Sequence, residues 1–228
     1  MNVRGLKEAR LERGLTQKEA AARLGVSQPY LALLERGKRP ITAPFARKAV
    51  QVLGVCPTLV PCGQMFVGRP ATTDALARQL SALGYPGFKY MRAGWTRNPA
   101  EVILRALQQE EPDSRVVEAL PWVLLTFPDL DRNWLLREAR TYGLNNRLGF
   151  LVSMAMRVAE QRGDQASVTY RNLTELGKML EESRLVAEDT FGKRLSPTQE
   201  EWLRQNRPAD AEQWHMLTTW KPEHLQYA

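Results

Sequence analysis

Cysteine and histidine are scarce in this chain of 228 residues, which contains two of each: Cys56, Cys62, His215 and His224. A structural zinc site needs about four ligands in closely spaced pairs, and no such group of residues stands beside the two cysteines. The sequence therefore predicts no metal site. We interpret the cysteines as reduced thiols beside a linker, because a disulfide would need an oxidising compartment, of which the sequence gives no other sign.

Long apolar runs are also absent. No stretch approaches the ~20 residues that a membrane-spanning helix needs. Residues 1–13 alternate charged residues with Leu and do not form the apolar core of a signal peptide. We therefore expect a cytoplasmic protein with no membrane partner.

Signatures of catalysis are missing as well. An enzyme site needs a nucleophile with its base, or a metal, and no such arrangement is evident. There is no glycine-rich phosphate loop, since Gly84, Gly87 and Gly94 stand among turn-forming residues. These absences predict a protein that is not an enzyme and uses no cofactor.

Positive charge is present, and it lies at one end of the chain. The net charge is +7, and residues 1–55 contain eleven Lys or Arg but only four Glu. The remaining residues hold equal numbers of basic and acidic side chains. A concentrated basic surface is typical of a protein that binds a polyanion, so the N-terminal quarter is predicted to bind one.

Short helices separated by glycine are predicted in this basic quarter. Their predicted ranges are 6–13, 16–24, 27–36 and 43–53. Thr16 and Glu19 fit a capping box at the start of the second helix, and Ser27 is a favourable N-cap for the third. Gly25 suits the tight turn between these two helices, because glycine adopts the left-handed conformation without steric cost.

The rest of the chain also has a helical pattern, with no alternating strand of any length. Predicted helices cover residues 74–83, 98–109, 114–126, 131–142, 144–162, 168–188, 198–206 and 209–220. The sequence thus predicts an all-α protein with a small N-terminal domain (1–56), a Pro- and Gly-containing linker (57–70) and a larger C-terminal α-helical domain (71–228). We expect the apolar residues of the linker to pack on one of the two domains.

The most specific motif is LTQKEAAARLGVSQPYLALLERGKR, which runs from Leu15 to Arg39. Small residues stand where two helices would cross, and apolar residues recur on the face that would be buried. With the flanking helices, residues 3–55 resemble the lambda-repressor/Cro-type (XRE family) helix-turn-helix domain. In that domain the second helix of the motif enters the major groove of DNA with its N-terminal residues against the bases.

The resemblance places DNA contacts at the start of the third helix. It implies contacts to bases and phosphates for Ser27, Gln28 and Tyr30, although Tyr30 could instead serve packing. Gln28 is the best candidate base reader, because a carboxamide can pair with both adenine N6 and N7. Pro29 departs from the polar residue common at its position, so Pro29 and Leu33 are expected to offer only apolar contact, such as to a thymine methyl group.

Further roles are implied around this helix. Gln17 resembles the position that binds a phosphate and braces the reading glutamine, with its backbone N–H at a helix N-terminus. Phosphate contacts are expected for the three cations after the third helix, Arg36, Lys38 and Arg39. Arg10 and Glu35 resemble an internal ion pair and are excluded from the site.

A weaker resemblance covers most of residues 71–228. Segments such as NPAEVILRAL and LNNRLGFLVSMA, with the tail from residue 180 onward, are similar to antitoxin-like regulators of toxin–antitoxin systems whose toxin is a nucleotidyltransferase of the abortive-infection type. This resemblance implies a dual role, in operator binding and in neutralisation of a toxin protein. A stand-alone transcriptional repressor, whose helical domain dimerises or senses a small ligand, remains an alternative, as does an enzyme fused to a DNA-binding domain.

The expected partners follow from these resemblances. One helix-turn-helix covers a short half-site, so high specificity calls for a homodimer on an inverted-repeat operator of double-stranded DNA. We expect the dimer contact in the helical domain. All six tryptophans lie at or beyond Trp95; we interpret them as core residues, with Trp214 and Trp220 as alternative interface anchors.

Overall fold

The structure is a computed structural model that describes residues 4–63, 71–192 and 194–227. It confirms the predicted all-α class: these ranges contain no β-strand, and an isolated bridge pairs Asp189 with Met216. The α-helices of the described residues are α1 Arg4–Glu12, α2 Gln17–Leu24, α3 Gln28–Glu35, α4 Ala43–Leu53, α5 Thr73–Leu83, α6 Pro99–Leu107, α7 Ser114–Thr126, α8 Arg132–Thr141, α9 Asn145–Gln161, α10 Val168–Glu181, α11 Pro197–Asn206 and α12 Ala209–Gln213. None of the helices in these ranges is long and apolar enough to cross a membrane.

Helices α1 to α4 enclose the first of two hydrophobic cores. Leu6, Leu31, Leu34 and Ala46 are fully buried in it and come from three of the four helices. This core does not stop at the end of α4, because Leu59 and Val60 of the following segment also belong to it. The prediction that the apolar linker residues pack on a domain is confirmed for these two, while residues 64–70 lie outside the described residues.

The predicted helix caps of the N-terminal region are present. Thr16 Oγ accepts a hydrogen bond from the backbone N–H of Glu19, and the Glu19 carboxylate accepts one from the backbone N–H of Thr16. Gly25 ends α2 with φ of 71°, in the left-handed region. Ser27 Oγ accepts from the backbone N–H of Tyr30 at 3.3 Å. These local bonds satisfy backbone donors that a helix start leaves without partners.

Helices α5 to α10 and α12 enclose the second core, in which α9 packs against α7 and α10. Trp214, which follows α12, lies against α9 at Gly149, where no side chain intervenes, and its indole Nε1 donates to Ser153 Oγ at 2.7 Å. Trp214 is 2% exposed, so the reading of Trp214 as an interface anchor is wrong. The core interpretation fails for Trp95 and Trp202, which are 76% and 56% exposed.

Two predicted helices end earlier in the structure than the sequence indicates. Helix α10 ends at Glu181 and not at 188, and α12 ends at Gln213 and not at 220. The buried Asn146 side chain donates to the carbonyl oxygens of Leu185 and Ala187 and accepts from the backbone N–H of Leu185. This tertiary partner replaces the intrahelical bonds of that segment.

Local conformation ends α12. His215 has φ of 51°, in the left-handed region, and this conformation terminates a helix. Helix α7 begins after its N-cap residue Asp113, whose carboxylate accepts a hydrogen bond from the backbone N–H of Arg115 at 2.9 Å.

Candidate nucleic-acid interface

Helices α2 and α3 form the helix-turn-helix, with α3 as the helix that would read DNA. Ala20, Ala21 and Leu24 of α2 are buried, as are Leu31 and Leu34 of α3. Their burial fixes the two helices against each other, and the opposite face of α3 is left open to solvent. The apolar positions singled out in the sequence therefore do position the motif.

The first turn of α3 presents its predicted contact residues to solvent. Ser27, Gln28 and Pro29 are exposed. Since Ser27 caps the helix and Pro29 lies in its first turn, where proline needs no N–H partner, the backbone under Gln28 is preformed. A side chain on a preformed backbone loses less conformational entropy when it binds.

Tyr30 and Leu33 are half-buried. The Tyr30 ring meets the Phe45 ring of α4 edge-on, with centroids 6.5 Å apart and planes at 86°. The Tyr30 ring therefore packs on α4, as the packing alternative predicts, while the residue stays partly accessible. The DNA contacts of Tyr30 and Leu33 stay predictions.

An internal polar network lies behind α3. Arg10 Nε and Glu35 Oε1 are 2.6 Å apart, and their side chains are only 7% and 2% exposed, so the predicted ion pair between α1 and α3 is confirmed. Arg10 Nη1 also donates to the carbonyl oxygen of Leu15 at 2.7 Å. Gln17 Nε2 donates to Glu35 Oε2 at 2.9 Å. The Gln17 amide is therefore held by Glu35, and its bracing of Gln28 stays a prediction.

A group of three exposed cations follows α3. We call it the basic trio: Arg36, Lys38 and Arg39. Within the described residues none of the three forms an ion pair. Their charge is therefore not neutralised by the protein itself and is available to an anion.

The structure adds a junction between the two cores that sequence reasoning did not find. Arg47 of α4 lies over the Trp95 ring, 5.4 Å from its centroid, and its Nε donates to the Thr96 carbonyl oxygen at 3.3 Å. Asn98 is the N-cap of α6, and its Nδ2 also donates to the carbonyl oxygens of Thr58 and Val60. Cation–aromatic and side-chain-to-backbone contacts of this range have no sequence signal.

The thiols differ in environment. Both are free, and Cys56 is exposed. Burial, followed by the nearby carboxylate of Asp131, raises the pKa of Cys62 to about 12. The Cys62 thiol is therefore protonated at neutral pH.

Comparison with known proteins addresses the N-terminal region. Residues 6–59 match the family model described as Helix-turn-helix. A stretch of 46 residues, 20% of this chain, is 52% identical to "Uncharacterized HTH-type transcriptional regulator y4dJ" of Sinorhizobium fredii (strain NBRC 101917 / NGR234), and it spans 60% of that relative's length. No solved structure matches the chain. The N-terminal region is therefore a helix-turn-helix domain, followed by a further helical region.

Proposed function

We propose that the protein is a sequence-specific DNA-binding transcriptional regulator that reads its operator with the first turn of α3. The observation that carries this proposal is the exposed Gln28 on a capped, preformed helix start, beside the unpaired basic trio. The name of the matching relative, an HTH-type transcriptional regulator, supports it. In this reading Gln28 binds adenine, Pro29 and Leu33 contact thymine methyl groups, and Ser27 and Tyr30 contact bases or phosphates.

Phosphate contacts orient the domain in the same proposal. The basic trio lies just beyond α3, where the phosphates flanking the groove would pass. The backbone N–H of Gln17 lies at the N-terminus of α2, and a helix N-terminus favours an anion. These contacts supply affinity, whereas the α3 residues supply sequence preference.

The replacement Gln28→Ala tests base reading. We expect operator binding to weaken by about 1–3 kcal/mol and the preference at one base pair to relax, because a bidentate contact is lost. The measurement is a binding-site selection followed by titration of the selected operator. Gln51→Ala is the matched control, since Gln51 is an exposed glutamine on α4. Unchanged affinity and unchanged sequence preference in Gln28→Ala would remove Gln28 from the interface.

We also propose a homodimer on an inverted repeat, with the dimer contact in the helical region. Within residues 4–63, Leu11 is the one exposed large apolar side chain. The described residues of the helical region have several, including Val186 (90% exposed) and Trp202 (56%). Footprinting should show two protected half-sites about one helical turn apart, and sedimentation should show a dimer. A single protected half-site bound by a monomer would contradict the proposal.

Neutralisation of a toxin by the helical region is the further role that we propose. Support comes from the resemblance of residues 71–228 to antitoxin-like regulators and from the exposed apolar side chains, which suit a protein partner. The gene beside this one should be toxic when expressed alone, and co-expression of this protein should restore growth. We favour direct contact over enzymatic modification, so the pair should co-purify. Normal growth with the neighbouring gene alone would contradict the role and favour a stand-alone regulator.

One observation favours the stand-alone regulator with a small ligand. A cleft of about 910 Å³ lies between the helix-turn-helix domain and the helical region. Its lining includes Glu8 and Glu12 of α1, Asp131, and Glu175 of α10. Its size is in the range of small-molecule sites, and a ligand there would touch both units. A compound that raises the melting temperature of the full chain and also changes operator affinity would support this function. Compounds that raise the melting temperature without changing operator affinity would oppose it.

A further inference from the structure

The helix-turn-helix domain is attached to the start of α6, a buried helix of the second core. Every residue of α6 except Arg105 is buried. Residues 95–101, at the start of this helix, contact two separate segments of the helix-turn-helix domain, namely α4 and residues 58–63. Contacts to two segments restrict the rotation of the domain as well as its distance from the second core.

Asn98 makes the most buried of these contacts. The residue is 3% exposed, and its Nδ2 donates to the carbonyl oxygens of Val60 at 2.7 Å and Thr58 at 3.1 Å. Val60 belongs to the first core. The Asn98 Oδ1 accepts from the backbone N–H of Ala100 at 2.9 Å, so a single amide caps α6 and binds the other core. Separation of the two cores at this point would break hydrogen bonds of a buried amide, which is costly.

Two longer hydrogen bonds flank Asn98. The Gly63 N–H donates to the Glu101 carboxylate at 3.4 Å, and Arg47 Nε donates to the Thr96 carbonyl oxygen at 3.3 Å. Hydrogen bonds between N–H and oxygen are weaker when they are longer than about 3.2 Å. Asn98 therefore supplies the shortest and most buried hydrogen bonds of this junction.

The attachment affects how two domains can read one operator. In the proposed homodimer the helical regions contact each other, so the separation of the two α3 helices depends on how each helix-turn-helix domain is held on its own helical region. Each base pair added between two half-sites moves them apart by about 3.4 Å and rotates one against the other by about 34°. A domain held in one orientation can match a narrow range of spacings, whereas a loosely tethered domain can match many.

We propose that Asn98 is a positioning residue that determines which spacing of half-sites the operator must have. It holds each helix-turn-helix domain in one orientation on α6 and does not itself touch DNA. Base preference within a half-site then belongs to α3, and spacing preference belongs to the junction. This inference rests on the proposed function, and on the homodimer in particular.

The test variant is Asn98→Asp in the full chain. Aspartate is a favourable N-cap, so the cap of α6 is retained, whereas both donors to the first core are lost. Asn98→Ser is the second variant, because serine also caps a helix, adds no charge and is too short to reach the two carbonyl oxygens. The matched control is Asn172→Asp, which removes a donor to the Pro128 carbonyl oxygen within the helical region. Circular dichroism checks that each variant is folded.

Nuclear magnetic relaxation of backbone amides in the free protein tests the junction without DNA. Amides of α2 and α3 should have the same rotational correlation time as amides of α9 in the wild type and in Asn172→Asp, because the two cores turn as one body. In the Asn98 variants, the correlation time of α2 and α3 should be shorter than that of α9. Equal times in a folded Asn98 variant, or unequal times in the wild type, would overturn the proposal.

Operators with altered spacing provide the second measurement. The selected half-sites are placed at their selected separation and with up to about five base pairs added, which is half a helical turn. Wild-type affinity should fall by about 10²–10⁴-fold at the least favourable spacing, to that of a single half-site, because simultaneous binding of both domains is lost. The Asn98 variants should lose most of this contrast and should bind a single half-site as the wild type does.

The outcomes of the spacing measurement separate positioning from other roles. A wild-type spacing preference in a folded Asn98 variant, or an equal loss of preference in Asn172→Asp, would overturn the proposal. Weaker binding of the Asn98 variants to a single half-site would also overturn it, because the effect would then lie in base reading. A wild-type protein that binds no sequence selectively, or only as a monomer, would instead overturn the proposed function; the relaxation times would still show whether Asn98 fixes the domain.

Discussion

The ion pair between Arg10 and Glu35 provides the sharpest test of how the helix-turn-helix domain is held together. In the variant Glu35→Ala, the Arg10 guanidinium stays buried and loses both of its bonds to the carboxylate. Only the Leu15 carbonyl oxygen remains as its partner, and Gln17 Nε2 loses its acceptor. Removal of one partner of a buried pair costs about 3–5 kcal/mol, because an uncompensated charge is left in the interior.

That loss is large against the roughly 5–15 kcal/mol by which an ordinary domain is stable. Urea unfolding followed by circular dichroism measures this loss of stability. Tryptophan fluorescence reports the helical region separately from the helix-turn-helix domain, since every tryptophan lies at or beyond Trp95. At a denaturant dependence of about 1 kcal/mol/M, the midpoint of the N-terminal transition should fall by about 3 M or more. The fluorescence transition of the second core should move much less.

Two further variants decide the cause. Glu12→Ala removes an exposed carboxylate from α1 and should change stability by less than about 0.5 kcal/mol. The double replacement Arg10→Met/Glu35→Leu removes both charges and should recover most of the loss, because an apolar pair of similar volume is often as stable as a buried ion pair. If Glu35→Ala costs under about 1 kcal/mol, or if the double variant is as unstable as the single one, the reasoning is refuted.

Three more predictions concern other parts of the chain. Gly149→Ala should destabilise the helical region by about 1–3 kcal/mol, since the added Cβ would lie 2.2 Å from the Trp214 ring. Gly177→Ala should instead stabilise α10 by up to about 1 kcal/mol, because the nearest atom to its added Cβ would be 3.6 Å away. Thermal unfolding of the two variants compares these effects. Maleimide labelling followed by mass spectrometry should modify Cys56 well before Cys62, whose raised pKa keeps its thiolate scarce until the pH approaches 12; equal rates at neutral pH would contradict this. Replacement of the whole basic trio by Ala should weaken binding to all DNA sequences alike and make the salt dependence shallower; an unchanged slope with a loss for one sequence only would assign base contacts to the trio.

Local signals in the sequence were sufficient for the helix-turn-helix domain. The capping box at Thr16, the cap at Ser27 and the glycine at 25 are formed as predicted, and α4 has the bounds that were predicted. Each of these features depends on residues within a few positions of one another, where backbone sterics and short hydrogen bonds dominate. The Arg10–Glu35 pair was also predicted, but through the family resemblance and not through spacing.

Features that depend on residues far apart in the sequence could not be predicted in this way. Asn146 binds the segment after α10 and ends that helix, and Trp214 packs at Gly149. Arg47 of α4 meets Trp95 of the helical region across the junction between the two cores. Such contacts form because the assembled cores bring distant residues together, and a chain read one helix at a time contains periodicity and caps but no record of these partners.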